Sequence, residues 1–555
     1  MAGIFICIKD SVFIDPACGS GNFLTETYIS LRRLENEVLL ELHKGQVMFA
    51  SEETSPIKVS ISQFYGIEIN DFAVTVAKTA LWIAESQMMK ETEDVVLISL
   101  DFLPLKTNAN IHEGNALRTD WQKIIPSASL SYAYGNPPFV GYDWMQPEQK
   151  KDMQSHFGSK TGRLDYVTAW YIKAAQYIQN TDIKCAFVST NSITQGIQVI
   201  DLWSVLIEKY HIIIDFAYRT FRWDSEAKLK AAVHCVIIGF SVTGKKVKKL
   251  YNESGKCSIV DSISPYLNNA PAVIIQKANS VICDVPQLIL GSMAKDGGGL
   301  IFDKDEYEKI KQQEPQSLKY VRRFMMGKEF LNNIERYCYW LVDANPSELR
   351  ECPILLSHLQ TVIDYRKSSD AESTRRLADT PTLFAQVAQP KTNFIAVPAV
   401  SSERRRYIPI GYLSPDIIAG HKLFIIPNAD LYHFGILTSN VHNAWMRLTA
   451  GRLKSDYSYN STTVYNNFPW PKPTEEQKEK IKQTAQEILE SRTKYPECSL
   501  ADLYDELTMP PDLRTAHQKN DRAVMEAYGF WGRLNSESEC VAELMKMYQS
   551  LTGNI

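Results

Sequence analysis

The sequence has no CxxC pair and no His/Cys spacing of a metal site, although it holds 10 cysteines in 555 residues. Scattered cysteines in a chain of this size read as free thiols of a reducing compartment, which sets aside disulfide scaffolds and zinc ribbons. No stretch approaches the ~20 consecutive apolar residues of a membrane span, so no membrane partner is expected. The apolar start "MAGIFICI" is too short for a signal peptide and lacks its basic flank. These absences predict a cytoplasmic protein with no structural metal. An excess of positive charge is missing as well. Lys and Arg number 60 against 64 Asp and Glu, a net charge of −4. Any contact with nucleic acid must therefore come from local basic patches.

What is present is the composition of a globular protein, 45% apolar and 22% charged. The length is too great for one core and suggests three or four domains. Up to about residue 245 strand-like and helix-like patterns alternate. "SVFIDPACGSGNF" (11–23) reads as strand, small-residue turn and helix start, and Phe23, Leu24, Thr27, Tyr28, Leu31, Leu34 and Val38 then recur at helical spacing. "FYGIEI" (64–69) is a second strand, before a helix with Phe72, Ala73, Val76, Ala77, Ala80, Leu81 and Ala84 on one face. "SYAYG", "CAFVST", "IIIDFAY" and "HCVIIGF" follow as apolar strands. This alternation predicts an α/β domain with a parallel, Rossmann-like sheet and helices on both faces over 1–245. Residues 246–315 lose the rhythm and read as a connector. Over 316–470 the composition changes and arginines and aromatics interleave. "FPWPKP" (468–473) reads as a proline linker, and Thr474 with Gln477 as a capping box that opens a helical region, 471–555.

Three short stretches carry chemistry. In "DPACGSGNF" Gly19, Ser20 and Gly21 follow a strand and open a helix, where glycines let backbone N–H groups approach a ligand. Glu68 ends the second strand, 47 residues after Gly21. An acid there can accept both hydroxyls of a ribose, and the long spacing requires an insertion around "KGQVMFASEETSP" (44–56). In "GNPPF" Pro137 forces Asn136 out of the helical region, and both prolines fix their own φ. The Asn136 side chain and the Pro137 carbonyl can then converge as two acceptors on one amine, with Phe139 as a stacking face. Cys18, beside the glycine turn, reads as a small packing residue.

In order, "DPACGSGNF", "FYGIEIN", "EGNALRTDW" and "GNPPF" resemble the class I adenosylmethionine-dependent adenine DNA methyltransferases. The resemblance implies that Asp15, Ala17, Gly19, Gly21, Asn22 and Phe23 line the methionine end of S-adenosyl-L-methionine. It gives Glu68 and Ile69 to the ribose side, Asn115 and Ala116 to the cofactor adenine, and Asn136, Pro137, Pro138 and Phe139 to the flipped target adenine. Many relatives carry Asp where Asn115 stands, and either side chain can bond an exocyclic amine. "GKEFLNN", "VPAVSSERRRYIPIGYL", "NNFPWP" and "MPPDLRTAHQKNDRAVMEAYGF" look more particularly like the type IIL (MmeI-like) restriction–modification proteins. That likeness covers nearly the whole chain and implies an α+β target-recognition, DNA-binding domain over 316–470 after the methyltransferase, with double-stranded DNA as partner.

Arg404, Arg405 and Arg406 are candidates for phosphates or guanine edges, because Tyr407 and a loop-like "SSE" accompany them. The family places a nuclease and a helical connector ahead of the methyltransferase. Only twelve residues precede Phe13 here, so both are expected to be absent, with a separate nuclease subunit as a further candidate partner. The Glu-x-Lys triplets at 148–150 and 476–478 read as solvated helix faces. Two other readings stand beside the DNA methyltransferase. An Asn-Pro-Pro-aromatic site fits any planar amide or amine, hence an RNA base or a protein glutamine; the other reading is a catalytically silent DNA-binding remnant.

Overall fold

Phe13–Asp15 (β1), Phe64–Glu68 (β2), Asn110–Glu113 (β3), Tyr132–Gly135 (β4) and Lys184–Thr190 (β5) lie parallel, side by side in the order β3-β2-β1-β4-β5. The computed structural model describes residues 8–43, 57–96, 109–158, 162–223, 233–453 and 456–553. The segment 44–56 expected as an insertion lies outside them. Two compact units divide the chain, one up to Ile274 and one from Ile275.

The first unit is built on that sheet. Ile213–Trp223 (β6) and Val233–Ser241 (β7) extend it, and Lys248–Tyr251 (β8) and Cys257–Val260 (β9) complete nine strands in the order β3-β2-β1-β4-β5-β7-β6-β8-β9. The all-parallel sheet expected from the alternation is corrected here. Strand β7 enters between β5 and β6 and runs antiparallel to both. A hairpin partner needs no helical crossover, so β6 and β7 can pair antiparallel where the earlier strands could not.

Helices cover both faces, as the register makes explicit. Phe13 pairs with Phe64 and Tyr132, and partners in register share a face. That face packs under Asn22–His43 (α1) and Asp71–Val96 (α2), through Leu24, Tyr28, Leu81 and Met88. Ile14, Ala133, Cys185 and Phe187 alternate onto the other face. There Thr168–Tyr177 (α3) lays Tyr171 on Phe187 and Phe240, with ring centroids 5.4 and 5.3 Å apart. The buried stripe of α2 is Val74, Ala77, Leu81, Ala84 and Met88. Phe72, expected on that stripe, is 75% exposed at the helix start.

Among its described residues the second unit holds three small sheets. Phe394–Pro398 (β10) and Leu423–Ile426 (β11) form the centre of one; Val321–Met325 (β12) and Arg336–Tyr339 (β13) form the centre of another. Fully buried Arg366, on helix Pro353–Lys367 (α4), fastens the loops around it by donating to the carbonyls of Ala294, Lys295, Leu377, Thr380 and Leu383 at 2.7–2.9 Å. The longer helices toward the C-terminal end are Glu475–Thr493 (α5), Pro511–Ala527 (α6) and Glu537–Thr552 (α7). The capping box at the start of α5 forms as expected. Thr474 N–H donates to Gln477 Oε1 at 2.9 Å and Gln477 N–H to Thr474 Oγ1 at 3.2 Å. The reading of "FPWPKP" as a linker is corrected. Phe468 and Trp470 are buried, and Phe468 meets His442 edge to face at 4.6 Å. Among the described residues no helix is long and apolar enough to cross a membrane.

Candidate active site

The C-terminal ends of β1, β2 and β4 bring Asp15, Glu68 and Asn136 to one edge of the sheet, where open α/β sheets bind their ligands. At β1, Gly19 takes φ +53° and Gly21 φ +82°, and the turn closes with Gly21 N–H on the Cys18 carbonyl at 2.8 Å. A Cβ on Gly21 would sit 3.0 Å from Ala77 Cβ, so glycine lets α1 start against α2. Cys18 is buried over Gly66, where a Cβ would come within 2.7 Å of its Sγ; it packs, as expected.

Glu68 clasps this turn. Its Oε2 accepts the Gly19 N–H and its Oε1 the Asn70 N–H, both at 3.0 Å. Each carboxylate oxygen keeps a free acceptor direction. Asp15 is fully buried below. Oδ1 accepts the Ala17 N–H at 2.9 Å, and Oδ2 has no hydrogen-bond partner. Burial pushes its carboxyl up to about 7; the Ala17 hydrogen bond opposes this and the charge of Glu68 adds to it.

A cavity of about 630 Å³ opens beside these groups, within the range of small-molecule sites. Ala17, Glu68, Ile69, Asn115, Ala116, Asn136 and Pro138 line it, with Arg118, Asp152, Tyr166 and Trp170. The walls are fixed from several directions. The Trp170 indole N–H donates to the Pro16 carbonyl at 3.1 Å, and Tyr166 meets Trp170 edge to face at 5.2 Å. Asn136 follows β4, is half-buried, and its Oδ1 is a buried acceptor with no partner in the chain. An unmatched buried acceptor costs roughly 1–3 kcal/mol, so this oxygen is suited to a donor brought by a ligand. Acceptors for ribose hydroxyls at Glu68, apolar walls and a free amide oxygen together fit an adenosyl ligand beside an amine.

Three family profiles match the chain in succession. They are the MmeI DNA-methyltransferase domain over residues 5–252, the MmeI target recognition domain over 269–472 and the MmeI C-terminal domain over 473–555. The structure of the type IIL restriction-modification enzyme MmeI in complex with DNA is 42% identical and covers all of this chain and 75% of its own, with a TM-score of 0.82. The chain belongs to the MmeI family. DNA methyltransferase A of Bacillus subtilis (strain 168) is 40% identical over 547 residues, which is 97% of this chain and 61% of that protein. The chain thus spans about three fifths of this curated relative. A putative type II restriction enzyme and methyltransferase of Methanocaldococcus jannaschii is 26% identical over 128 residues, 22% of this chain and 10% of that protein.

Within the span of the MmeI methyltransferase match, the structure gathers some of the expected residues at the cavity and leaves others off its wall. Gly19, Gly21 and Asp15 shape the turn and its floor without lining it. Asn22 and Phe23 start α1 and are exposed. Pro137 is buried and Phe139 half-buried, both outside the lining.

The wall that sequence reading missed is Pro147–Phe157 (α8), a helix lying between β4 and α3 in the chain. Its Glu148 is exposed, paired with Arg118 and Lys151, as expected of a solvated face. One turn on, Asp152 is buried and accepts from Asn115 Nδ2 at 3.1 Å, Tyr166 OH at 2.9 Å and Arg118 Nε at 2.6 Å. Burial alone would raise its carboxyl, but these donors hold it below the usual carboxylate range. The i, i+4 spacing of two acids was the available signal.

In the second unit Arg404, Arg405 and Arg406 line a cavity of about 530 Å³ together with Arg447, from the target-recognition match, and Glu537, from the C-terminal match. Arg447 is committed to Glu537 through two bonds of 2.7 and 2.9 Å. Burial lowers the Arg405 guanidinium from its ordinary value against the nearby charges of Asp456 and Asp505. Tyr407, which follows the three arginines, is a buried anchor. Its hydroxyl donates to Asp521 at 2.6 Å and its ring stacks on His517 at 4.2 Å.

Proposed function

We propose that this chain is a site-specific adenine DNA methyltransferase of a restriction–modification or defence system. S-adenosyl-L-methionine is its methyl donor and the 6-amino group of a flipped adenine in duplex DNA its acceptor. The observation that carries the reading is the buried, partnerless Oδ1 of Asn136, a residue that lines the same cavity as Glu68 and Asn115. The similarity to the restriction-modification enzyme MmeI and to DNA methyltransferase A supports the same class.

The residues divide the work. Asp15, Ala17, Gly19, Gly21, Asn22 and Phe23 would shape the methionine end. Glu68 would receive the ribose hydroxyls, flanked by Ile69, and Asn115 with Ala116 the adenine ring. When bound, the cofactor supplies a methyl group already activated on a sulfonium. Asn136 Oδ1 and the Pro137 carbonyl would accept the two amine hydrogens and turn the nitrogen lone pair toward that methyl. Both carry partial negative charge, so they stabilise the cation that develops on nitrogen before a proton leaves it. Extruding the base costs a few kcal/mol, which stacking on Phe139 offsets in part, with Pro138 holding the turn rigid. Arg404, Arg405 and Arg406 would meet the DNA, and a separate nuclease subunit would complete restriction. The division 1–245, 246–315, 316–470 and 471–555 is proposed as the functional one: transfer, connection, recognition and helical support.

The test is incubation with labelled S-adenosyl-L-methionine and mixed-sequence duplex DNA, with methyladenine mapped by sequencing. Label confined to RNA or protein would replace the DNA reading. Salt-sensitive DNA binding without label would make the chain a silent binder.

A further inference from the structure

The Asn115 amide has two flip states, and its neighbours allow one. Leu117 N–H, which can only donate, sits 2.9 Å from Oδ1. The Asp152 carboxylate, which as an anion can only accept, sits 3.1 Å from Nδ2. Both contacts would be reversed into clashes of like polarity by a flip. Asp152 is itself held by the Tyr166 hydroxyl on the same oxygen and by the Arg118 guanidinium on the other. It is 4% exposed, and all four residues line the one cavity. One amide hydrogen is therefore committed to Asp152, and the oxygen, held in place by the Leu117 N–H, keeps one acceptor direction for a ligand.

We propose that Asp152 is a positioning residue that makes Asn115 act as a fixed acceptor, so that the cavity selects a purine bearing an exocyclic amine over one bearing a carbonyl. This rests on the reading of the cavity as the adenosyl site. A carboxylate at position 115 would accept whichever way it turned and would need no such lock. In this chain it would also face the Asp152 carboxylate at about the 3.1 Å now spanned by a hydrogen bond, and two carboxylates that close resist joint ionisation. Asn at 115 and Asp at 152 thus form a matched pair, and exchanging the two side chains should keep the function that changing one destroys.

The experiment measures the affinities of S-adenosylhomocysteine and S-inosylhomocysteine by calorimetry for four proteins: wild type, Asp152→Asn, Asn115→Asp and the double exchange. Wild type should prefer the adenosyl ligand by roughly tenfold or more, as expected for one hydrogen bond lost and one acceptor set against another. Asp152→Asn should cut that preference several-fold, because only the Leu117 N–H then opposes a flip of the amide at 115. Asn115→Asp should bind both ligands weakly. The exchange should regain most of the wild-type preference. A merely structural role for Asp152 would weaken both ligands alike and would not be repaired by the exchange. Full preference in Asp152→Asn overturns the proposal. So does an exchange protein no better than the worse single variant, in folding or in binding, or a wild type that binds both ligands equally. A wild type that binds neither ligand refutes the adenosyl reading itself, and the proposal with it.

Discussion

Glu68 Oε2 accepts the backbone N–H of Gly19 at 3.0 Å, across 49 positions of sequence, so the acid that ends β2 also closes the glycine turn that follows β1. One carboxylate thereby shapes the turn and faces the cavity. Glu68→Gln keeps the size but turns one acceptor into a donor aimed at the N–H of Gly19 or Asn70. Thermal melting should show a loss of about 1–3 kcal/mol, and calorimetry a fall in S-adenosylhomocysteine affinity beyond what the lost stability explains.

Asn136→Ala removes the free acceptor and leaves the Pro-Pro turn in place. Methyl incorporation into duplex DNA should drop roughly 100-fold or more, the scale seen when one preorganised polar group is lost from a transition state. Mobility shifts should report unchanged DNA affinity. Loss of both properties would move Asn136 from the reacting centre to the scaffold.

The buried Asp15 carboxyl gives stability a pH dependence with a definite sign. Its folded value is pushed up to about 7 from an ordinary 3.8, so between those limits the folded chain holds a proton that the unfolded chain has released. Stability then falls as pH rises from about 4 to 7 and levels off above. Asp15→Asn should remove this slope. Urea midpoints of the two proteins over that range should show the wild type losing ground steadily to the variant.

Tyr407→Phe deletes the hydrogen bond to Asp521 and leaves that carboxylate with the Asn440 N–H at 2.7 Å. Denaturant unfolding should show a loss of about 1–3 kcal/mol. DNA affinity should fall too, because the anchor holds the backbone that carries Arg404, Arg405 and Arg406. Wild-type affinity in a destabilised variant would separate the arginines from their anchor.

Much of the site was legible because its signals are local. A glycine turn after a strand, an acid at a strand end and a Pro-Pro pair after a strand each declare their geometry within a few residues. Burial was not legible, since it depends on what arrives from elsewhere. Asp152 sits in a helix that reads "PEQKKDMQSHF", charged throughout, and only its neighbours Asn115 and Tyr166 reveal it as interior. Tyr407 follows three arginines and looks exposed until His517 stacks on it. The place of β7 was hidden for the same reason, because strand order is decided by pairing between distant segments and not by the apolar pattern of the strand itself.

The tie from the Trp170 indole to the Pro16 carbonyl joins chain positions 154 apart. During synthesis the glycine turn emerges long before the tryptophan that secures it. A nascent chain that stops short of α3 leaves the sheet face that carries Ile14 and Ala133 without its cover, and such a product offers proteases and chaperones an apolar seam rather than half a working pocket.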